Sequence, residues 1–157
     1  LKNLVLDVVD VVDGRALLAV NSSLEASHLP GVDFLHLPES ELGLVGSYSD
    51  SFGQSTHSLP VAQRAQQNGA NYVFVGSVFP TQSHPGEDSV GTSILKEYNL
   101  SLDIPFVGIG GIDSSNAADV VKVGAHGVAV ISAILATEEP KIAATQLMDA
   151  MLSEAGL

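Results

Sequence analysis

Apolar residues along this chain fall into short continuous runs, separated by stretches with helical spacing. Leu4, Val5, Val8, Val9 and Val12 recur at three- and four-residue intervals, which predicts a helix over Lys2–Val12. Residues 17–20 form an apolar strand that ends in Asn21-Ser22-Ser23, a tripeptide that also reads as a helix cap. Residues 34–37 predict a second strand and residues 52–56 a third, more polar one around Gly53. A helix over 60–68 follows, closed by Asn68-Gly69. Residues 71–76 (Asn-Tyr-Val-Phe-Val-Gly) read as a buried strand and open a loop over 77–86, rich in Pro and Gly and too long for a simple turn. Residues 104–109 predict another apolar strand, running into Gly110-Gly111. A helix over 114–123, capped by Ser114 or Ser115 and closed by Gly124, leads to a strand over 127–131. Ile131 and Ser132 turn that strand into a short helix, and the last helix, 140–152, begins with Pro140, where a missing N–H costs nothing.

Strands that are apolar without alternation, each followed by a helix, predict a parallel sheet covered on both faces. A (β/α) barrel and a doubly wound sheet both satisfy that pattern. No internal repeat, low-complexity tract or linker divides the chain, so residues 1–157 read as one domain.

Composition narrows the partners. Six Lys+Arg stand against 18 Asp+Glu, a formal net charge of −12. Binding to a nucleic-acid backbone or an anionic membrane requires clustered cations, so neither is expected. Yet 45% of residues are apolar and only 15% charged, so the acidity belongs to a folded domain and not to a disordered tail. The absence of cysteine removes disulfides, thiolate zinc sites and a Cys nucleophile. The opening segment carries Asp7, Asp10 and Asp13 and does not read as a signal peptide, and no apolar run is long enough for a membrane-spanning helix.

In either parallel architecture ligands bind at the C-terminal ends of the strands, so residues there carry the chemical information. Asn21, Ser22 and Ser23 follow the first strand; His36, Glu39 and Glu41 the second; Gln54 through Ser58 the third. Gly108-x-Gly110-Gly111 has Asp113 where a dinucleotide fingerprint has its third glycine, which argues against that use. Gly110-Gly111 and Ile131-Ser132 offer free backbone N–H groups at adjacent strand ends, suited either to a phosphate or simply to tight turn packing. Ser55 and His57, two apart in a strand, share a face. His57 there serves as general acid/base beside a ligand-anchoring Ser55, or as a histidine hydrogen-bonded at the rim of the core. A Ser55–His57–Asp50 hydrolase triad is rejected, because no nucleophile elbow surrounds the serine. The 80–86 loop, with Thr81 and Ser83 hydroxyls, closes over a ligand or remains an ordinary surface loop. The five histidines (His28, His36, His57, His84, His126) show no paired ligand spacing, while Glu39 and Glu41 either hold Mg²⁺ or are solvated.

The strand ends, taken in order, resemble a known family. Ser-x-His at Ser55–His57, Gly-x-x-Phe-x-Thr at Gly76–Thr81, Val90-Gly91, Ile109-Gly110-Gly111-Ile112 and Val128-Ala129-Val130-Ile131-Ser132 follow the register of the thiamine phosphate synthase/TenI superfamily. The resemblance is densest over residues 51–134. It implies an α/β fold of the (β/α)8 TIM-barrel type, incomplete here, with about six βα units; residues 1–12 align with the helix after the second barrel strand, so the first strands are expected to lie outside this sequence.

The resemblance also implies a thiazole-phosphate site to which Thr81, Gly110, Gly111, Ile131 and Ser132 carry over; Asn21 and Ser55, at strand ends facing the same region, are expected to join them. Two activities share such a site: thiamine phosphate synthase, which joins thiazole phosphate to a pyrimidine diphosphate using Mg²⁺ and basic residues, and TenI-type tautomerisation, for which His57 is the candidate proton shuttle and no cofactor is required. The synthase Asn-Asp-Arg is Asn21-Ser22-Ser23 here, its Gly-Gln-Glu-Asp is Pro38-Glu39-Ser40-Glu41, leaving Glu41 as the metal carboxylate, and its loop lysine is His84. Lys2, Arg15, Arg64, Lys96, Lys122 and Lys141, the six basic residues, all map to helices or to the opposite ends of strands. These departures put the tautomerase first, the synthase second and a non-catalytic phosphate-metabolite binder or interaction subunit third. A cytoplasmic or plastid-stromal setting is implied, and self-association is left open.

Overall fold

The computed structural model of the chain describes residues 1–41, 51–81 and 89–155. The elements in chain order are α1 (Lys2–Val12), β1 (Ala19–Asn21), α2 (Leu24–Ser27), β2 (Phe34–Leu37), β3 (Phe52–Thr56), α3 (Leu59–Gln67), β4 (Tyr72–Val75), α4 (Gly91–Ser101), β5 (Phe106–Ile109), α5 (Ala117–Lys122), β6 (Gly127–Ala129), α6 (Ser132–Leu135) and α7 (Pro140–Ala155). The six strands form one sheet in the order β1-β2-β3-β4-β5-β6, and every neighbouring pair is parallel. Strand order equal to chain order is the arrangement of a barrel wall. A doubly wound sheet reverses direction at a switch point, and none occurs here. The fold is therefore a TIM-barrel-like α/β half-barrel.

Several boundaries differ from the sequence reading. β1 covers Ala19–Asn21 and not residues 17–20, because the Leu18 carbonyl already accepts bonds from Asp33 and Phe34 before the ladder begins. β5 starts at Phe106 and not at 104, after Pro105 has left no N–H for the ladder. β6 ends at Ala129, two residues early. The N-cap of α5 is Asn116, and neither Ser114 nor Ser115 caps the helix. Ser115 instead donates from its N–H and its hydroxyl to the Asp113 carboxylate, at 2.8 and 2.6 Å. α4 was missed altogether: it opens on Val90 with no side-chain cap and carries no acidic first turn, so the usual start signal is absent. Its buried Leu95 and Tyr98 were the remaining trace in the sequence. Ser23 does cap α2, accepting from the Ala26 N–H.

Register assigns the strand side chains to two faces. Val20, Leu35, Leu37, Phe52, Val73, Val75 and Phe106 point outward and are buried. All but Val20 join Ala62, Ala65, Leu95, Tyr98, Ala117 and Val120 from α3, α4 and α5 in the main core. Removing one such leucine or phenylalanine side chain from water contributes about 2–3 kcal/mol. A smaller cluster, Val5, Val20 and Ala26, fastens α1 and α2 to the first strand. The opposite face carries Asn21, His36, Gly53 and Tyr72 in one register row, and Ser55 and Phe74 in the next. Gly53 is required there because the Tyr72 ring occupies the space a Cβ would take.

Among the described residues two buried polar atoms, Gln54 Oε1 and the Tyr98 hydroxyl, have no hydrogen-bond partner. The Tyr98 side chain is fully buried against Phe106. Burial, reinforced by Glu39 and Glu97, pushes that phenol up to about 12. Tyr98→Phe removes an unsatisfied buried dipole and keeps the ring, so it should raise the unfolding free energy by roughly 1 kcal/mol. Urea denaturation would show the midpoint move up; a downward shift would mean that the hydroxyl has a partner.

Candidate functional site

Parallel strands deliver all their C-terminal ends to one edge of the sheet, and a cavity of about 410 Å³ opens there. Asn21, at the end of β1, Ser55 of β3, His57 just beyond it, Thr81, the Gly110-Gly111 turn after β5, and Ile131 and Ser132 after β6 all line it. Every substrate-site and catalytic residue expected from sequence thus faces one space. Glu41 is the exception. It lies in the turn after β2, where its N–H donates to the Pro38 carbonyl, and it is not among the lining residues. Ser83 and His84, expected in the loop, and Asp50 of the rejected triad fall outside the described residues.

Each group is held by identifiable local chemistry. The loop after β4 continues the β4–β5 ladder: Val78 N–H donates to the Ile109 carbonyl at 2.9 Å and Phe79 N–H to the Gly110 carbonyl at 3.0 Å. That loop packs so closely on Gly111 that a Cβ there would meet the Pro80 and Phe79 carbonyl oxygens, and the φ of +65° excludes most side chains in any case. Asn116 clasps the same turn from behind. Its Nδ2 donates to the Gly111 carbonyl and its Oδ1 accepts from Asp113 N–H, both at 3.0 Å. Hydrogen bonds from Ser115 hold the Asp113 carboxyl below its usual range.

Two residues that the sequence placed at the end of the second strand, but outside the thiazole-phosphate set, complete the site. Glu39 lines the cavity, and its Oε2 accepts from the His57 backbone N–H and engages His57 Nδ1, each at 2.7 Å. The Pro38 carbonyl beside it receives Gln54 Nε2, which anchors this strand end from the helix-facing side. His36 lies beneath the cavity floor, 7% exposed. Its Nε2 is 2.9 Å from Ser55 Oγ and its Nδ1 is 3.1 Å from the Tyr72 hydroxyl. Its ring stacks on Tyr72 and leans on Phe74. The serine hydroxyl is therefore paired with His36 and not with His57, so the Ser55–His57 couple envisaged for a triad does not form. The sequence signal for this arrangement was the period-two placement of His36 opposite a glycine, which only the cross-strand register could reveal.

The cavity is built without fixed positive charge among the described residues. No lysine or arginine lines the cavity among the described residues. Lys2 pairs with Glu25 on the outer surface at 2.6 Å, and Arg15 donates to the carbonyls of Val11 and Val12. Among the described residues no group of three His, Asp or Glu side chains could hold a metal ion. With Ser22 in place of a carboxylate, Glu39 engaged by His57 and Glu41 not lining the cavity, the donor set among the described residues does not fit Mg²⁺. Among the described residues no helix is long and apolar enough to cross a membrane.

Comparison with known proteins agrees with this geometry. Residues 2–134 match the thiamine monophosphate synthase family. The thiamine-phosphate synthase of Natronomonas pharaonis is 36% identical over 147 residues, which cover 88% of this chain and 69% of that protein. The thiamine-phosphate synthase of Synechococcus sp. (strain WH7803) is 38% identical over 141 residues, 86% of this chain but 40% of its relative. A solved structure, thiamine phosphate pyrophosphorylase from Pyrococcus furiosus, superposes with a TM-score of 0.83 at 28% identity, covering 98% of this chain and 76% of that one. The chain belongs to the thiamine monophosphate synthase family.

His36 supplies a measurable signature of the folded site. Burial pushes its pKa down from 6.5 to about 4, so the folded protein keeps it neutral where the unfolded chain protonates it. The stability that depends on this neutral ring is complete above pH 6.5 and is lost as the pH falls toward about 4. The loss is on the order of 2–3 kcal/mol. Unfolding midpoints followed across that interval should fall in the native protein, and His36→Gln should flatten the slope.

Proposed function

We propose that this member of the thiamine monophosphate synthase family binds thiazole phosphate in the cavity at the strand ends and supplies that half of a thiamine phosphate synthase site. The observation that carries the reading is the convergence of the Gly110-Gly111 turn, Ser132, Thr81 and Ser55 on one cavity. Backbone N–H groups and hydroxyls suffice for a phosphate monoester, which a turn of free donors can hold without a cation. In the synthase reaction the thiazole nitrogen bonds to the pyrimidine methylene carbon while the carbon–oxygen bond to diphosphate breaks. This chain's residues would orient the thiazole for that attack. The described residues contribute no fixed cation toward the departing diphosphate, a role usually filled by preorganised positive charge.

Sequence reasoning ranked tautomerisation ahead of synthesis. The curated relatives are thiamine-phosphate synthases, and that reverses the order. Tautomerisation stays as a second reading on one observation: Glu39 engages His57 Nδ1 at the cavity wall, an arrangement able to hold a proton-transferring imidazole in one orientation. The two readings differ in what they need. Synthesis requires the pyrimidine diphosphate; tautomerisation requires only the thiazole and His57.

Calorimetric titration with thiazole phosphate should show binding, and Gly111→Ala should weaken it by at least tenfold by displacing the Pro80 carbonyl. In a synthase assay with Mg²⁺ and pyrimidine diphosphate, Ser22→Asp should increase turnover. Lack of any thiazole phosphate binding by the native chain would refute the reading, whereas turnover of the thiazole alone, abolished by His57→Ala, would favour tautomerisation.

A further inference from the structure

The Tyr72–His36–Ser55 chain runs from the interior face of the sheet to the cavity, and the phenol at its far end touches no ligand-facing space. A neutral imidazole has one N–H and one lone pair, so this chain admits only two proton arrangements. In the first, Tyr72 O–H donates to His36 Nδ1, His36 Nε2–H donates to Ser55 Oγ, and the serine proton points into the cavity. In the second, His36 Nδ1–H donates to the phenolic oxygen and the serine proton is spent on Nε2.

The chemistry of the three groups selects the first. A phenol is a stronger hydrogen-bond donor and a poorer acceptor than an aliphatic alcohol, because its oxygen lone pair is delocalised into the ring. The imidazole lone pair is therefore best met by Tyr72, and the imidazole N–H by Ser55. Satisfaction of donors agrees. Among the described residues Tyr72 has no second hydrogen-bond partner, so the second arrangement strands a phenolic proton on a half-buried group. The first leaves only the Ser55 proton, which faces a cavity where a ligand oxygen or nitrogen can accept it. Packing holds the geometry. Tyr72 lies over Gly53, stacks on His36 and meets Phe34 edge-on, so its hydroxyl has little freedom to leave Nδ1.

We infer that Tyr72 is a positioning residue that acts through His36, fixing the Nε2–H tautomer so that Ser55 presents its hydroxyl to the cavity as a donor. Ser55 then recognises an acceptor on the ligand, such as a ring nitrogen or a phosphate oxygen, and repels a group that can only donate. The inference rests on the proposed thiazole phosphate site for the identity of the ligand. The proton arrangement itself does not depend on it.

Tyr72→Phe keeps the ring over Gly53 and deletes only the phenolic donor. In a long-range proton–nitrogen correlation spectrum of the nitrogen-labelled native protein without ligand, His36 should carry its proton on Nε2. In Tyr72→Phe that preference should be lost, with signal from the Nδ1–H form appearing. Titrated with thiazole phosphate, Tyr72→Phe should bind roughly three- to tenfold more weakly, the worth of one hydrogen bond. In a Ser55→Ala background the same change should have no further effect. A native protein with the proton on Nδ1, a tautomer unchanged in Tyr72→Phe, or an equal loss of binding in the Ser55→Ala background would each overturn the inference. If the proton sits on Nε2 and thiazole phosphate still fails to bind the native protein, the relay stands and the ligand assignment falls.

Discussion

Six strands bonded in parallel and in chain order leave the polypeptide no choice about where its strand-following loops go. Parallel pairing points the C-terminal end of each strand at the same edge. Asn21, Ser55, Gly110 and Ser132, scattered through the sequence, meet at one cavity for that reason alone. The division of labour between the two faces follows from the same constraint. Helices cover the outer face with alanine, valine, leucine and Tyr98, packed on strand valines, leucines and phenylalanines, and this burial stabilises the fold. The inner face is left with His36, Ser55, Tyr72 and Phe74, polar and aromatic groups whose hydrogen bonds must be closed among themselves.

That closure explains why a buried histidine is tolerated. An imidazole removed from water is destabilising in its charged form, and desolvation moves its pKa far enough down to keep it neutral. Both ring nitrogens find partners, so the neutral form leaves no orphaned group. The exposed His57, by contrast, is held through Glu39, whose single oxygen serves a backbone N–H and a ring nitrogen together. Two histidines at neighbouring strand ends thus have different surroundings: one buried between two hydroxyls, one solvated and beside a carboxylate.

Charge is distributed with similar consequence. With 18 acidic residues and six basic ones, an anion would be repelled at most points on this surface. A phosphate bound as proposed would meet backbone at Gly110 and Gly111 and the Ser132 hydroxyl at short range, where local donors outweigh a screened net charge. Five of the six cations lie on helices: Lys2 on α1, Arg64 on α3, Lys96 on α4, Lys122 on α5 and Lys141 on α7.

The amino-acid sequence by itself determined the alternation of strand and helix, the parallel sheet and the strand-end motifs, because these depend on periodicity and on residues close together in the chain. It lost α4, whose start carries no cap, and it placed several strand ends a residue or two wrongly, because ladder bonds to Asp33, Phe34 and Pro105 are settled by neighbours and not by local preference. Barrel order over a doubly wound sheet rested on the family resemblance until the strand pairing decided it. Only the tertiary structure could show that Ser55 belongs to His36 and Tyr72 while His57 belongs to Glu39. The physical reason is register: which side chain lies opposite which is set when the strands pair, and a shift of one residue would have turned every one of these groups to the other face.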